Sequence, residues 1–226
     1  MRLFVGVVIA LCLGAGENAK AQHTAPSTDP DIRTVAALSR LYELRFWTGQ
    51  NYSLKDDANR QAIIAFQKLA SLPRTGKLTD STVARILRAV PLTPHEKLHQ
   101  QHLEVDLNHQ VLFVVDSNDA VTHILPVSTG NGKQFDFPGK GSEFARTPRG
   151  TFKIFYKVTG WRKSPLGLLF NPMYFSGGFA VHGAQSVPPA PASHGCIRIP
   201  MFAAQEMFRI TPIGTVILVF GENPKG

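Results

Sequence analysis

The residues with most chemical content lie between positions 179 and 198. Phe179-Ala180-Val181-His182-Gly183 is followed by a loop containing Val187-Pro188-Pro189-Ala190-Pro191, and then by Ser193-His194-Gly195-Cys196-Ile197-Arg198. A cysteine attacks carbonyl carbon as its thiolate, and a nearby imidazole brings the thiol pKa down from about 8.5 toward neutrality. Glycines 183 and 195 let peptide N–H groups approach a developing oxyanion. Arg198 can hold a carboxylate in a bidentate fork. Each residue alone has an ordinary reading: a small core cysteine, a structurally satisfied histidine, a surface arginine. Six such residues in a row, with a His-Gly pair upstream, point instead to thiol-based attack on an acyl group.

The surrounding pattern must deliver these groups. Phe179-Ala180-Val181 reads as a strand that carries His182 at its end, and the proline loop after it is stiff because its φ angles are fixed. From His102 the apolar period is two. Leu103 to Leu107 alternates, Gln110 to Asp116 is a continuous apolar run, and Asn108-His109 and Ser117-Asn118-Asp119 suit hairpin turns. Further strands are expected over 121–127, 150–157 and 215–220, with one helix over 201–210 using Met201, Ala204, Met207 and Phe208 as its apolar face. Residues 102–222 thus predict a mainly β domain, a β-sandwich or an open barrel.

Ahead of it, residues 31–90 read as helical. Val35, Leu38, Leu41 and Leu44 stack on one face. Ala62, Ile63, Ala65, Phe66 and Leu69 mark a second helix, and Thr79 or Asp80 caps a third that carries Val83, Ile86 and Leu87. The expectation is a small all-α three-helix domain able to fold alone, joined by a polar linker over 91–101. That linker contains His95-Glu96-Lys97-Leu98-His99, formally the H-E-x-x-H pattern of zinc proteases. The match fixes only three letters, and neither the Gly at 102 nor the His at 105 of the extended pattern is present. No metal or organic cofactor is expected.

Met1-Arg2, the apolar stretch Leu3–Leu13 and the Ala19-Lys20-Ala21 site describe a secretory signal peptide over 1–21, with a retained anchor as the alternative. Leu11 is bulky where lipoprotein signals carry a small residue, which sets aside lipidation of Cys12. The mature chain is then exported to the periplasm or cell wall and keeps one thiol, Cys196, in an oxidising compartment where pairing is the usual fate. The hydrophobic content of 43% excludes wholesale disorder, and two cysteines exclude a disulfide scaffold or an iron–sulfur protein. Eight basic residues face two acids between 131 and 170, within a chain of net charge +8. This suits an anionic polymer at the cell surface. Nucleic acid is not expected, because no recognition helix or aromatic-rich binding motif is present.

The His182-Gly183 and Ser193-His194-Gly195-Cys196-Ile197-Arg198 segments resemble the L,D-transpeptidase catalytic domain of the YkuD type. Val127-Ser128-Thr129-Gly130 and Thr147-Pro148-Arg149-Gly150-Thr151-Phe152 resemble the strand-end pieces that frame its groove. Ten residues separate His182 from Ser193, fewer than in many members. The resemblance implies Cys196 as nucleophile, His182 as base, Gly183 orienting the imidazole through its carbonyl, His194 and Gly195 shaping an oxyanion hole beside Ser193, and Arg198 anchoring substrate. It also implies peptidoglycan stem tetrapeptides as donors, 3→3 cross-links as products and capture by carbapenems. L,D-carboxypeptidase action and an idle wall-binding role are the alternatives. Residues 31–90 resemble a peptidoglycan-binding domain through the leucine ladder, Ala65-Phe66-Gln67-Lys68 and Leu72-Pro73-Arg74-Thr75-Gly76-Lys77-Leu78-Thr79. Tyr52-Ser53-Leu54-Lys55-Asp56 replaces the usual Asp-Gly-x-Phe-Gly turn, so both a glycan-binding and a spacer role stay open.

Overall fold

The computed structural model describes residues 30–139 and 141–225; the expected signal segment and Cys12 lie outside the described residues. In chain order the elements are α1 (Pro30–Glu43), α2 (Asp57–Leu69), α3 (Asp80–Arg88), β1 (His102–Asp106), β2 (Val111–Val115), β3 (Val121–Pro126), β4 (Gln134–Phe137), β5 (Gly141–Phe144), β6 (Gly150–Lys153), β7 (Tyr156–Lys157), β8 (Trp161–Ser164), β9 (Gly167–Ser176), β10 (Phe179–Ala184), β11 (Ile197–Pro200), α4 (Met201–Ile210) and β12 (Val216–Phe220).

Two sheets form a sandwich, as the periodicity predicts. One has the order β3-β2-β1-β12-β6; the other has β11-β10-β9-β7, with β8 also pairing β9. Between them lie Leu103, Val105, Leu112 and Val114 from the first sheet and Met173, Phe175, Val181 and Ile197 from the second, closed by Ala203, Ala204 and Met207 of α4. The expected strand over 150–157 is broken in two at Ile154. Ile154 N–H donates to Thr215 O beside the first sheet, and Phe155 N–H donates to Tyr174 O of the second. The chain therefore changes sheets at a fully buried residue, the corner geometry that closes many sandwiches.

The helices differ from the expectation of an autonomous module. β2 alternates its side chains between two faces, as any strand does. Leu112 and Val114 point into the sandwich, while Val111, Phe113 and Val115 join a second core with Leu38, Leu41, Phe66 and Ile86 of the helices. A strand covered on both faces reads as a continuous apolar run, which explains the sequence VLFVV. The three helices complete their core only against the sheet. One smaller expectation changes, and another resolves to one of its two options. Val35 is exposed, its place on the buried face of α1 being taken by Ala37. Thr79 rather than Asp80 caps α3, its hydroxyl accepting from Thr82 N–H at 3.2 Å. Residues 91–101 are tied down rather than loose: the Glu104 carboxylate accepts the N–H groups of His95 and Glu96, both at 2.8 Å.

The helix–sheet contact encloses Lys68 of α2. Its side chain is buried, and its Nζ donates to Gln110 O at 3.0 Å and Val127 O at 2.8 Å. Burial lowers its pKa from 10.5 to about 7, with Arg74 adding repulsion. Between those values the unfolded chain binds the extra proton, so the stability contributed by Lys68 rises as pH climbs from about 7 to 10.5. Lys68→Met removes a donor from each of two buried carbonyls, of which that of Gln110 keeps the Val127 N–H. By urea denaturation it is expected to lower stability by about 1–3 kcal/mol at pH 9, and by less at pH 7.

Candidate active site

His182 and Cys196 come to one face because β10 and β11 run parallel. The register pairs Val181 with Ile197 and His182 with Arg198. Side chains two apart on a strand share a face, so Cys196, at the entrance to β11, emerges on the same side as Arg198 and His182. All three line one groove of about 760 Å³. One wall is the β4–β5 hairpin with Phe135, Phe137 and Phe144; the opposite wall carries Trp161, Arg162 and Leu168 from β8 and β9.

His182 is buried, and its Nδ1 lies 2.9 Å from Gly183 O. A carbonyl only accepts, so Nδ1 carries the proton and Nε2 is the basic nitrogen. Burial lowers the His182 pKa to about 4, opposed by the Gly183 bond and assisted by the positive charge of Arg198. Gly183 has no room for a side chain, since a Cβ there would stand 2.6 Å from the Ala204 Cβ. The close approach of α4 to β10 therefore explains the glycine.

The Cys196 Sγ is 3.9 Å from Gly178 O, within the range of a weak S–H hydrogen bond. Burial raises its pKa, while the Ala180 backbone N–H and Arg198 favour the thiolate. The resting pair at neutral pH is therefore a thiol and a neutral imidazole. Arg198 occupies the centre of β11, its backbone exchanging 3.1 Å hydrogen bonds with Ser128 in both directions.

Ser193 is buried and shapes the turn. Its hydroxyl donates to Cys196 O at 2.6 Å and accepts from Gly195 N–H at 2.9 Å. This bond engages the Gly195 N–H, one of the groups expected at an oxyanion hole. Among the described residues, neither the His194 N–H nor the Cys196 N–H donates to a loop carbonyl at this turn, which leaves both as candidate oxyanion donors. Gly195 sits at φ +129°, and a Cβ there would meet Phe179 at 2.4 Å and Arg146 O at 2.8 Å. The His194 ring packs on Phe135, with centroids 4.6 Å apart, so its side chain belongs to the groove wall.

Several supporting residues escaped the sequence reading as individuals. Thr147 Oγ1 accepts from Gly130 N–H at 3.0 Å and donates to Gly195 O at 2.9 Å. Asn223 grips the Thr147 backbone at both ends, accepting from its N–H at 2.8 Å and donating to its carbonyl at 2.9 Å. Strands β4, β5 and β8 were missed because their side chains are largely exposed, so no apolar period marks them. The H-E-x-x-H pattern finds no helix. His95 stacks on Phe220 at 4.0 Å and His99 pairs with Asp119 at 2.6 Å, which points the two imidazoles at different partners.

A thiol, an imidazole with a basic nitrogen, peptide N–H groups at the turn and a guanidinium around one groove can perform acyl transfer through a thioester. Comparison with known proteins bears on the same region. The model of the L,D-transpeptidase catalytic domain, YkuD, matches residues 100–219. The chain is similar to the L,D-transpeptidase from Xylanimonas cellulosilytica DSM 15894, with 35% identity and a TM-score of 0.76 over 83% of this chain and 92% of that one. That coverage takes in part of the chain before residue 100. The fold is also like that of the L,D-transpeptidase (Yku) from Stackebrandtia nassauensis, with 23% identity and a TM-score of 0.50 over 85% and 93% of the two chains. A comparison with curated proteins finds no match. The family model spans more than half of the sequence and the site lies within it: this chain belongs to the L,D-transpeptidase family with a YkuD catalytic domain.

Proposed function

We propose that this protein is a cysteine-dependent L,D-transpeptidase that acts on peptidoglycan stem tetrapeptides and joins them by 3→3 cross-links. The observation that carries this reading is the placement of Cys196, His182 and Arg198 on one face of β10 and β11 along a single groove. His182 Nε2 takes the thiol proton as Sγ attacks the carbonyl of the third stem residue. The Cys196 N–H donates to the developing oxyanion, and the turn built by Ser193, His194 and Gly195 holds that N–H in place. Collapse of the intermediate breaks the bond to the terminal D-Ala, whose amine leaves with the proton from the imidazolium. The thioester then passes to an amine of a neighbouring stem, and His182 takes and returns one proton in the second half-reaction. Arg198 binds a stem carboxylate. Gly183 holds the imidazole through its carbonyl, and no metal or cofactor takes part. Carbapenems acylate the same thiol.

The N-terminal pattern over 1–21 supports export, and the substrate is a polymer of the envelope, so the periplasm or cell wall is the proposed location. The strongly basic stretch between 131 and 170 contributes Arg162 and Lys163 to the groove and favours an anionic polymer.

Incubation with disaccharide-tetrapeptide, read by mass spectrometry, is expected to yield a dimer with loss of one D-Ala and a transient acyl-enzyme on Cys196. A tripeptide without dimer, in the presence of an acceptor stem, would identify carboxypeptidase action. Cys196→Ala removes all product, and product formation by that variant would overturn the mechanism. His182→Ala is expected to lower kcat by about 10²–10⁴-fold with the fold intact by circular dichroism.

The pH dependence follows from burial. Because the thiol is pushed up and the imidazole down to about 4, alkylation of Cys196 by iodoacetamide should keep rising above pH 8. A plateau already reached at pH 7 would instead indicate a resting ion pair. Arg198→Ala is expected to raise KM more than it lowers kcat, measured on the tetrapeptide at saturating acceptor.

A further inference from the structure

The turn that presents Cys196 is supported from outside the groove by a continuous run of hydrogen bonds that begins in the helices. Its hub is Gln110, only 1% exposed. Gln110 Nε2 donates to Leu107 O at 2.8 Å and to Thr129 Oγ1 at 2.7 Å, and its Oε1 accepts from Thr129 N–H at 2.9 Å. Its carbonyl accepts from Val127 N–H at 2.9 Å and from Lys68 Nζ at 3.0 Å. Thr129 is fully buried, and its carbonyl takes the N–H groups of Ala192 and Ser193 at 3.0 and 2.9 Å. Ser193 then holds the Cys196 carbonyl and the Gly195 N–H through its hydroxyl. A separate contact joins the same region to the helices: Arg74 Nη1 donates to Pro189 O at 3.2 Å.

The backbone of Gln110 makes this arrangement informative. It adopts φ +58° at the end of the β1–β2 turn, a conformation that glycine or asparagine reaches at lower cost. A residue chosen only to close that turn would be one of those two. Glutamine adds the reach of its amide to Thr129, and both ends of the amide are engaged there. A fully bonded amide in a dry interior is a stiff connector, because any shift leaves a buried polar group without a partner.

We propose that Gln110 is a positioning residue for Cys196, and that α2, through Lys68, is the far anchor of the hydrogen-bonded chain that sets the 193–196 turn. This rests on the reading of Cys196 as nucleophile. The helical unit then acts on the chemistry through the back of the site, in addition to any role at its own surface.

The test compares Gln110→Leu with Ile86→Ala. Leucine is similar in size but cannot bond to Thr129. Ile86 is fully buried in the helix–sheet core and lies outside the hydrogen-bonded chain, so its truncation reports simple loosening. Thermal midpoint, kcat and KM on the tetrapeptide, and the pH profile of iodoacetamide alkylation at Cys196, followed by peptide mass, are measured for both. Gln110→Leu is expected to lower kcat by about tenfold or more, with KM little changed and the midpoint of the alkylation profile displaced. Ile86→Ala is expected to lower the thermal midpoint while leaving the alkylation profile in place. Gln110→Glu, which keeps an acceptor for the Thr129 N–H, is expected to recover part of the loss, and it carries the comparison should Gln110→Leu fail to fold. An unchanged alkylation profile in the Gln110 variants, or an equal displacement in Ile86→Ala, would overturn the proposal. The alkylation readout needs no stem peptide, so it judges the positioning of Cys196 separately from the identity of the substrate.

Discussion

The constraint on which the structure depends is that β2 is buried on both faces. Its Leu112 and Val114 help to close the sandwich, and its Val111, Phe113 and Val115 require a second cover. At ~25 cal/mol per Å² of apolar surface removed from water, leaving three such side chains exposed would cost several kcal/mol. The helices supply that cover. Placing α2 there brings Lys68 into the interior, where its ammonium is tolerated only because two strand-end carbonyls receive it. Those carbonyls belong to Gln110 and Val127, at the root of the segment that supports the turn carrying Cys196.

Burial does opposite things at the two reactive groups. It pushes the thiol up and the imidazole down, so both are neutral at rest, and Arg198 reinforces neutrality at His182 while favouring the thiolate at Cys196. A resting thiol is less exposed to oxidation than a standing thiolate. In the proposed reaction the proton moves only when substrate enters and excludes water. Geometry prepares that transfer: Nδ1 is held by Gly183 O, which leaves the basic nitrogen as the other one.

Two threonines grip the same turn from opposite sides. Thr129 takes the N–H groups at its start, and Thr147 takes the Gly195 carbonyl in its middle. Each is held in turn by a side-chain amide, Gln110 for Thr129 and Asn223 for Thr147. The amides come from positions more than a hundred residues apart, 110 and 223. A site built this way is rigid because its supports belong to different parts of the fold.

Much of this was legible in the residues themselves. The two-residue period over 102–107 and the apolar run over 111–115 specify strands by burial alone, and the ladder at Leu38, Leu41 and Leu44 specifies a helix face. The His182-Gly183 and Ser193–Arg198 segments carry their chemistry in their residue types. Other features were not legible, for physical reasons. Strands β4, β5 and β8, which wall the groove, have largely exposed side chains and no periodicity. The apolar run over β2 hinted at two-sided burial but could not say what lay on the second side. Gln110, Thr129, Thr147 and Asn223 are ordinary polar residues in sequence, and their role comes from partners remote along the chain. The sequence by itself determined the reactive groups and the elements that carry them, because side-chain chemistry and hydrophobic period are local properties. Only the tertiary structure decided that the helices share a core with the sheet and that Gln110 stands behind Cys196, because long-range hydrogen bonds depend on how distant segments pack.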